Sequence, residues 1–338
     1  MTTRKLFEPT PEMNELLRQA GSLVREESLS ATAELAKALE LPLRKGVLSG
    51  DILDGIFEPI RLAPGASTEF PLDFIAPGTE KEFVAYTIPN HGRIPERHVE
   101  GDYVMVPTYD VGASIDYLLK YARDARWDVV GRAMDVMQSQ FVKKMNDDGW
   151  HTILAAARNR NITVYDPDAS AGYFSKRLVS LLKTIVRRNG GGNSTSVNRG
   201  ELTDLYISPE GVEDIRNWGV DEVDDITRRE LITREGGLLS RIFQVNIHTL
   251  DELGEGQEYQ NYLLNDLTAT LPNPGVAKKQ FVVGLDQRNQ DSFVMPIRQE
   301  VQIFEDDTLH RQKRAGFYGW AEQGFAALDN RRVILGAF

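Results

Sequence analysis

Apolar positions set the first divisions of the chain. Met13, Leu16 and Leu17 fall on one face of a helical spiral, and Leu35, Leu39 and Leu41 on one face of another. The first fifty or so residues therefore read as two short amphipathic helices, ended by Gly50 and Pro59. Such a segment can fold onto its own domain or reach a neighbour. From Ile60 to Pro107 the pattern changes to short extended runs, FPLDFI, FVAYTI and DYVMVP, broken by Pro64, Gly65, Pro77, Gly78, Pro89, Gly92, Pro95 and Gly101. This predicts a long β-excursion, whose charged tip APGTEKEF carries turn residues and projects into solvent or onto another subunit.

The strongest periodic run comes next. With Ser114 as N-cap, Ile115, Leu118, Leu119, Ala122, Trp127, Val130, Ala133, Met134, Met137, Phe141, Met145 and Ile153 recur mostly at steps of three or four. One helix from Ser114 to about Arg158 would be roughly 65 Å long at about 1.5 Å per residue. Gly131 and Gly149 are places where it can bend or end. Heptads do not hold, and Trp127, Phe141 and Trp150 are poor seam residues, so the helix is expected as a backbone along which other elements lie rather than a coiled coil. A loop at Asp168 to Gly172, an amphipathic helix from Phe174 to Arg188 and a glycine-rich loop, NGGGNSTSVNRG, follow. DLYIS then reads as a strand and PEGVEDIRNWG as a short helix opened by Ser208 and Pro209. RIFQVNIHTL, KKQFVVGLDQ, PIRQEVQIFE, TLHRQKRAGFYGWAEQGFAAL and RRVILGAF are expected as strands.

Composition narrows the function classes. At 338 residues with 41% hydrophobic content, the chain can bury one large domain or two ordinary ones. No run approaches the roughly 18 apolar residues of a membrane span, so no membrane partner is expected. The N-terminal MTTRKLFEPTPEMNELL lacks a secretory signal, which points to synthesis in a cytoplasm. The absence of cysteine excludes disulfides, thiolate ligands and a cysteine nucleophile. Thirty-nine basic against 50 acidic residues, a net charge of -11, argue against a surface dedicated to wrapping phosphates. A container that merely encloses nucleic acid is compatible with that charge.

The motif search yields no chemistry. His91, His98, His151, His248 and His310 are scattered, with no pair at the i, i+4 spacing of a zinc helix. Neither a GxSxG elbow nor a kinase set nor a Walker lysine is present. The four acids of DEVDD, Asp221 to Asp225, lack calcium-loop spacing and read as a solvated face. No catalytic residue, cofactor or metal is expected.

The order of parts carries more information than any motif. An N-terminal arm, a long hairpin, a very long helix, a strand–helix unit and a returning C-terminal hairpin resemble the major capsid proteins of tailed bacteriophages, an α+β class with the Hong Kong 97-like (HK97-like) phage capsid fold. The resemblance rests on VPTYDVGASIDYLLKYARDARWDVVGRAMDVM, DGWHTILAA, DLYISPEGVEDIRNWG and TLHRQKRAGFYGWAEQGFAALDNRRVILGAF, and covers roughly residue 50 onward. It implies an N-arm over 1–59, an E-loop β-hairpin over 60–108 and a peripheral domain with the spine helix over 109–172. An axial domain over 173–296, a peripheral-domain hairpin (P-loop) over 297–328 and a C-terminal strand over 329–338 returning to the axial domain complete the expected scheme.

The resemblance further implies a shell of hexamers and pentamers around double-stranded DNA, located in the virion and made in a host bacterial cytoplasm. Glu80, Lys81 and Glu82 at the hairpin tip are expected on an adjacent subunit, and Arg311, Lys313 and Arg314 near junctions between capsomers. The NGGGNSTS loop and the DEVDD stretch are candidates for contacts around the capsomer axis. Some relatives weld subunits through a lysine–asparagine isopeptide bond assisted by a glutamate. Here Lys81 could supply the amine, but Glu305 to Asp307 stand where the asparagine would be and Gln312 about where the glutamate would fall, so non-covalent contacts are expected. About fifty residues ahead of the hairpin are too few for a fused scaffold, which implies a separate scaffolding protein beside a portal and a decoration protein. The alternative is an encapsulin-like nanocompartment subunit with the same fold.

Overall fold

The computed structural model describes residues 11–22, 24–50, 55–63, 65–71, 103–124, 126–189, 200–218, 241–273, 275, 277–288, 292–306 and 308–338. The chain divides into two compact units, one formed by residues 1–68, 105–149 and 295–326, the other by 69–104, 150–294 and 327–338.

In the first unit, α1 (Pro11–Ala20) and α2 (Arg25–Gly50) are the two N-terminal helices. The second is not short: it runs 26 residues to Gly50. Leu17, Leu35, Leu39 and Leu43 are fully buried, and Ser28 locks the helices together by donating its hydroxyl to the Ala20 carbonyl at 2.7 Å. The sheet of this unit has the order β1 (Glu58–Arg61), β10 (Phe293–Glu305), β11 (Arg314–Gln323), β4 (Tyr109–Leu118).

The expectation of one helix from Ser114 to Arg158 is corrected. Residues 109–118 are strand β4, in which Ser114 pairs with Tyr318 instead of capping a helix. A short helix α3 (Leu119–Arg123) follows, and the long helix α4 starts only at Trp127 and ends at Asn159. The reason is visible in the alternation YDVGASIDYL: Val111 and Tyr117 are buried while Asp110, Gly112, Ser114 and Asp116 are exposed. That is a period of two, which the apolar count at steps of three and four passed over. Gly131 and Gly149 do not interrupt α4, whose 33 residues span about 50 Å at about 1.5 Å each. It lies against the sheet where β11 has no side chain: a Cβ on Gly319 would sit 2.8 Å from Met137 Cε.

The second unit is built on a six-stranded mixed sheet, β5 (Thr163–Tyr165), β13 (Val333–Ala337), β9 (Phe281–Leu285), β6 (Asp204–Ile207), β8 (Val245–Thr249) and β7 (Arg241–Ile242) in spatial order. β6 runs parallel to β8 and antiparallel to β9, and β13 runs parallel to β5. RIFQVNIHTL is thus a tight hairpin, β7 and β8, and not one strand. Likewise TLHRQKRAGFYGWAEQGFAAL opens with a 3-10 turn, Leu309–Gln312, before β11 begins.

Every residue of β6, β9 and β13 is buried, as a sheet covered on both faces requires. One face carries α5 (Lys176–Asn189) and α6 (Pro209–Asn217), whose Leu178, Val179, Leu182, Val212 and Ile215 join Leu205, Ile207, Val282 and Phe338 in a single core. Ser208 caps α6 by accepting from the Gly211 amide, with Pro209 in the first turn, as the sequence predicted. On the other face Trp150, in the last part of α4, meets Tyr206 edge-on at 4.7 Å, and His151 stacks on Tyr262 at 4.0 Å.

Candidate assembly surfaces

Of the contact residues expected from sequence, Glu80, Lys81 and Glu82 lie outside the described residues, as do the DEVDD stretch, Asp307 and most of the glycine-rich loop. Arg311, Lys313 and Arg314 come together at the tip of the β10–β11 hairpin and are all exposed. Their surroundings differ. Arg314 donates to Asp116 at 2.8 Å and is held within its own chain. Arg311 and Lys313 carry no ion pair among the described residues, and Lys313 turns the chain with a left-handed backbone (φ 56°). Asp306 is occupied in accepting from the amide and hydroxyl of Thr308.

Sequence reasoning missed the open face of this sheet. Phe304, Tyr318 and Trp320 form an aromatic cluster, with centroids 5.6 Å apart for Phe304–Tyr318 and for Phe304–Trp320 and 6.1 Å for Tyr318–Trp320. Trp320 is 48% exposed. Strand alternation could have found it: in RAGFYGWAEQ, Ala315, Phe317 and Ala321 are buried while Tyr318 and Trp320 face out. Ion pairs Arg314–Asp116 at 2.8 Å and Arg298–Glu322 at 3.6 Å also decorate the sheet.

In the second unit the polar groups sort into an interior tie and a surface groove. Asp286 is fully buried and accepts from Arg332 at 2.6 Å, from Arg288 at 3.1 Å and from the Glu201 amide at 2.9 Å. Burial by itself would raise this carboxyl; the bonds from Arg288, Glu201 and Arg332 outweigh it and hold the group below the ordinary carboxylate range. Asp204 follows the same logic: burial pushes it up, and the bonds from His248 at 2.8 Å, Thr203 and Asn246 bring it down. These ties join β9 to the start of β13 and β6 to β8. Among the described residues no group of three histidine, aspartate or glutamate side chains could hold a metal ion, and no helix is long and apolar enough to cross a membrane.

The groove lies along α5. It has a volume of about 680 Å³ and is lined by Ser180, Lys183, Thr184, Arg187, Arg188 and Phe243. Phe243 sits in the β7–β8 turn at φ 50°, followed by Gln244 at φ 66°. Both positions favour glycine or asparagine, and a left-handed residue of another type costs roughly 1–2 kcal/mol. Despite that, a large apolar ring stands 53% exposed there, its carbonyl taken by Lys183 Nζ at 2.8 Å.

No protein-family profile matches the chain, and no curated protein matches it in sequence. Solved structures do match in fold. One from Microbacterium phage Oxtober96 superposes with a TM-score of 0.58 at 10% identity, over 86% of this chain and 91% of that one. The head structure of Helicobacter pylori bacteriophage KHP40 gives 0.54 at 7% identity over 85% and 90%. The capsid structure of Cyanophage P-SCSP1u gives 0.53 at 9% identity over 85% and 88%. The chain therefore has the HK97-like fold of phage capsid proteins.

Proposed function

We propose that the chain is the major capsid protein of a tailed phage, a non-enzymatic subunit that assembles into hexamers and pentamers and encloses double-stranded DNA in the virion. The observation that supports this best is the length over which the fold likeness runs, at least 85% of both chains against a phage head and a phage capsid. On this reading the unit with α4 and the β10–β11 hairpin is the peripheral domain and the unit with the six-stranded sheet is the axial domain. The N-arm of this reading is 1–59, and its neighbour-reaching hairpin, 60–108, lies mostly outside the described residues. Arg311 and Lys313, exposed at the hairpin tip, meet acidic surface between capsomers. Scaffolding protein, portal and decoration protein belong to the same reading as partners, and shell contacts are non-covalent.

Negative-stain microscopy of the purified full chain across protein and salt concentrations tests the proposal. Rings, sheets or closed shells are the expected result. A monomer under every condition, including co-expression with a scaffolding protein, would overturn it. Denaturing electrophoresis of assembled shells should show monomers; a ladder of covalent multimers would refute the non-covalent part alone.

A further inference from the structure

Charge in the second unit is polarised along one strand. The cationic groove of α5 opens at the start of β8, because the Phe243 carbonyl in the β7–β8 turn is bound by Lys183 of α5. Beyond the other end of β8, about 16 Å away at about 3.3 Å per residue, the chain carries Asp251, Glu252 and Glu255 in the turn that follows. β6 runs parallel to β8, so α6 begins at that same end. The carboxylate of its Glu210 stands beside Gly254, which gathers four acids at one edge.

Neither end has an ion-pair partner. Among the described residues Lys183, Arg187 and Arg188 have no carboxylate in ion-pair range, and Glu210, Asp251, Glu252 and Glu255 have no cation. Elsewhere in the same unit Arg177, Arg288, Arg331 and Arg332 all pair with acids. The favourable placing of cations at a helix C-terminus accounts for Arg187 and Arg188. It does not account for an exposed phenylalanine held in a left-handed turn at the rim, its carbonyl taken by Lys183. Strained backbone presenting an apolar ring beside unpaired cations is the form of a contact surface.

We propose that the α5 groove receives the acidic edge, Glu210, Asp251, Glu252 and Glu255, of a second copy of this chain. A basic end meeting an acidic end is a heterologous, head-to-tail contact, whose repetition gives a ring where the rotation closes and an open filament where it does not; the capsomer of the shell reading is the closed case. The acidic edge that every copy carries, Glu210, Asp251, Glu252 and Glu255, makes another copy the complementary occupant of the cationic groove. The inference rests on the shell reading and adds to it which surfaces meet within a capsomer.

The chain has no cysteine, which allows a direct test. Arg187→Cys and Glu255→Cys chains, each full length, are mixed and treated with a short bis-maleimide. The expected product is a covalent dimer that forms in the mixture and in neither variant alone. Efficient coupling of Arg187→Cys to itself would mean a two-fold contact, and no coupling in a mixture that assembles normally would mean the contact is elsewhere; either result overturns the inference and leaves the shell reading intact. Charge reversal provides the second arm. Arg187→Glu with Arg188→Glu, and separately Asp251→Lys with Glu255→Lys, should each raise the concentration for half-assembly by about tenfold or more, and the quadruple variant should recover most of it. Unchanged assembly in both double variants, with circular dichroism showing them folded, would also overturn it. Failure of the unmodified chain to assemble at all would instead remove the shell reading on which it rests.

Discussion

The two sheets of this protein are finished to different degrees. The six-stranded sheet has β6, β9 and β13 buried from end to end, with helices on one face and the Trp150 cluster on the other. Its buried Asp204, Asp286 and Arg332 are paired. The sheet of the first unit keeps one face for α4 and presents Phe304, Tyr318 and Trp320 on the other, Trp320 about half exposed. A monomeric domain gains by covering such aromatic area, at about 25 cal/mol per Å². The six-stranded sheet is thus covered on both faces, while the other sheet keeps one face open. Stability should respond to side-chain changes in the first case, and association should respond in the second.

The largest effect is expected at Asp286. Removing it leaves Arg332, 9% exposed, as a buried charge without its shortest partner, and breaking such a pair costs roughly 3–5 kcal/mol. Four tryptophans make the comparison measurable: Trp150 and Trp218 report on the second unit, Trp127 and Trp320 on the first. In variants that retain only Trp218 or only Trp127, Asp286→Ala should move the urea transition seen by Trp218 and leave the one seen by Trp127 nearly in place. Equal shifts in both would show that the units unfold together and that the contrast between them is not one of stability.

A middle effect is expected where backbone approach is tightest. A Cβ at Gly319 would lie 2.8 Å from the Gln302 carbonyl oxygen and 2.8 Å from Met137 Cε, so the strands themselves must shift. Gly319→Ala should cost about 1–3 kcal/mol. Gly284 in the second unit also faces short distances, 2.6 Å to Leu202 Cδ1 and 2.9 Å to Ile334 Cγ2. These are ends of side chains that can rotate, so Gly284→Ala should cost less than Gly319→Ala in parallel urea titrations.

Acid should weaken the second unit selectively. Asp286 and Asp204 are both held below their ordinary value when folded. A carboxyl depressed in this way stabilises the fold above its unfolded value near 4 and loses that contribution as pH falls through the folded value. Trp218 fluorescence should therefore report loss of stability below about pH 4, with a shallower slope in Asp286→Asn. A slope unchanged by that substitution would place the acid sensitivity elsewhere.

Legibility in the sequence followed how local each signal is. Ser208 and Pro209 announced α6 because capping involves residues within one turn. The α+β class and the capsid fold were readable because they depend on the order of elements along the chain. β4 was misread because Ile115, Leu118 and Leu119 satisfy a helical count, while what decides their state is β11, some 200 residues away. The aromatic cluster was legible in part, since alternation in RAGFYGWAEQ turns Tyr318 and Trp320 outward but says nothing of Phe304; the Asp286 tie and the α5 groove were not, because each joins residues from separate elements and single-sequence periodicity says nothing of which elements become neighbours. The intrachain pair of Arg314 with Asp116, across 198 positions of the chain, was equally out of reach of the sequence.

The smallest effects on stability test the other side of the comparison. Arg314 and Asp116 are each nearly half exposed, and exposed pairs contribute at most about 1 kcal/mol, so Arg314→Gln should hardly move the unfolding transition. Trp320→Ser with Tyr318→Ser should also change the unfolding free energy of the dissociated chain by no more than about 0.5 kcal/mol, because little of their contact is lost on the solvent side. A loss well above 1 kcal/mol would mean that these rings are structural in the single chain, and the first unit would then be as complete as the second. Near-neutral stability together with weaker association in sedimentation would fix the division the structure suggests: the second sheet holds the subunit, and the first sheet keeps an open aromatic face for something outside it.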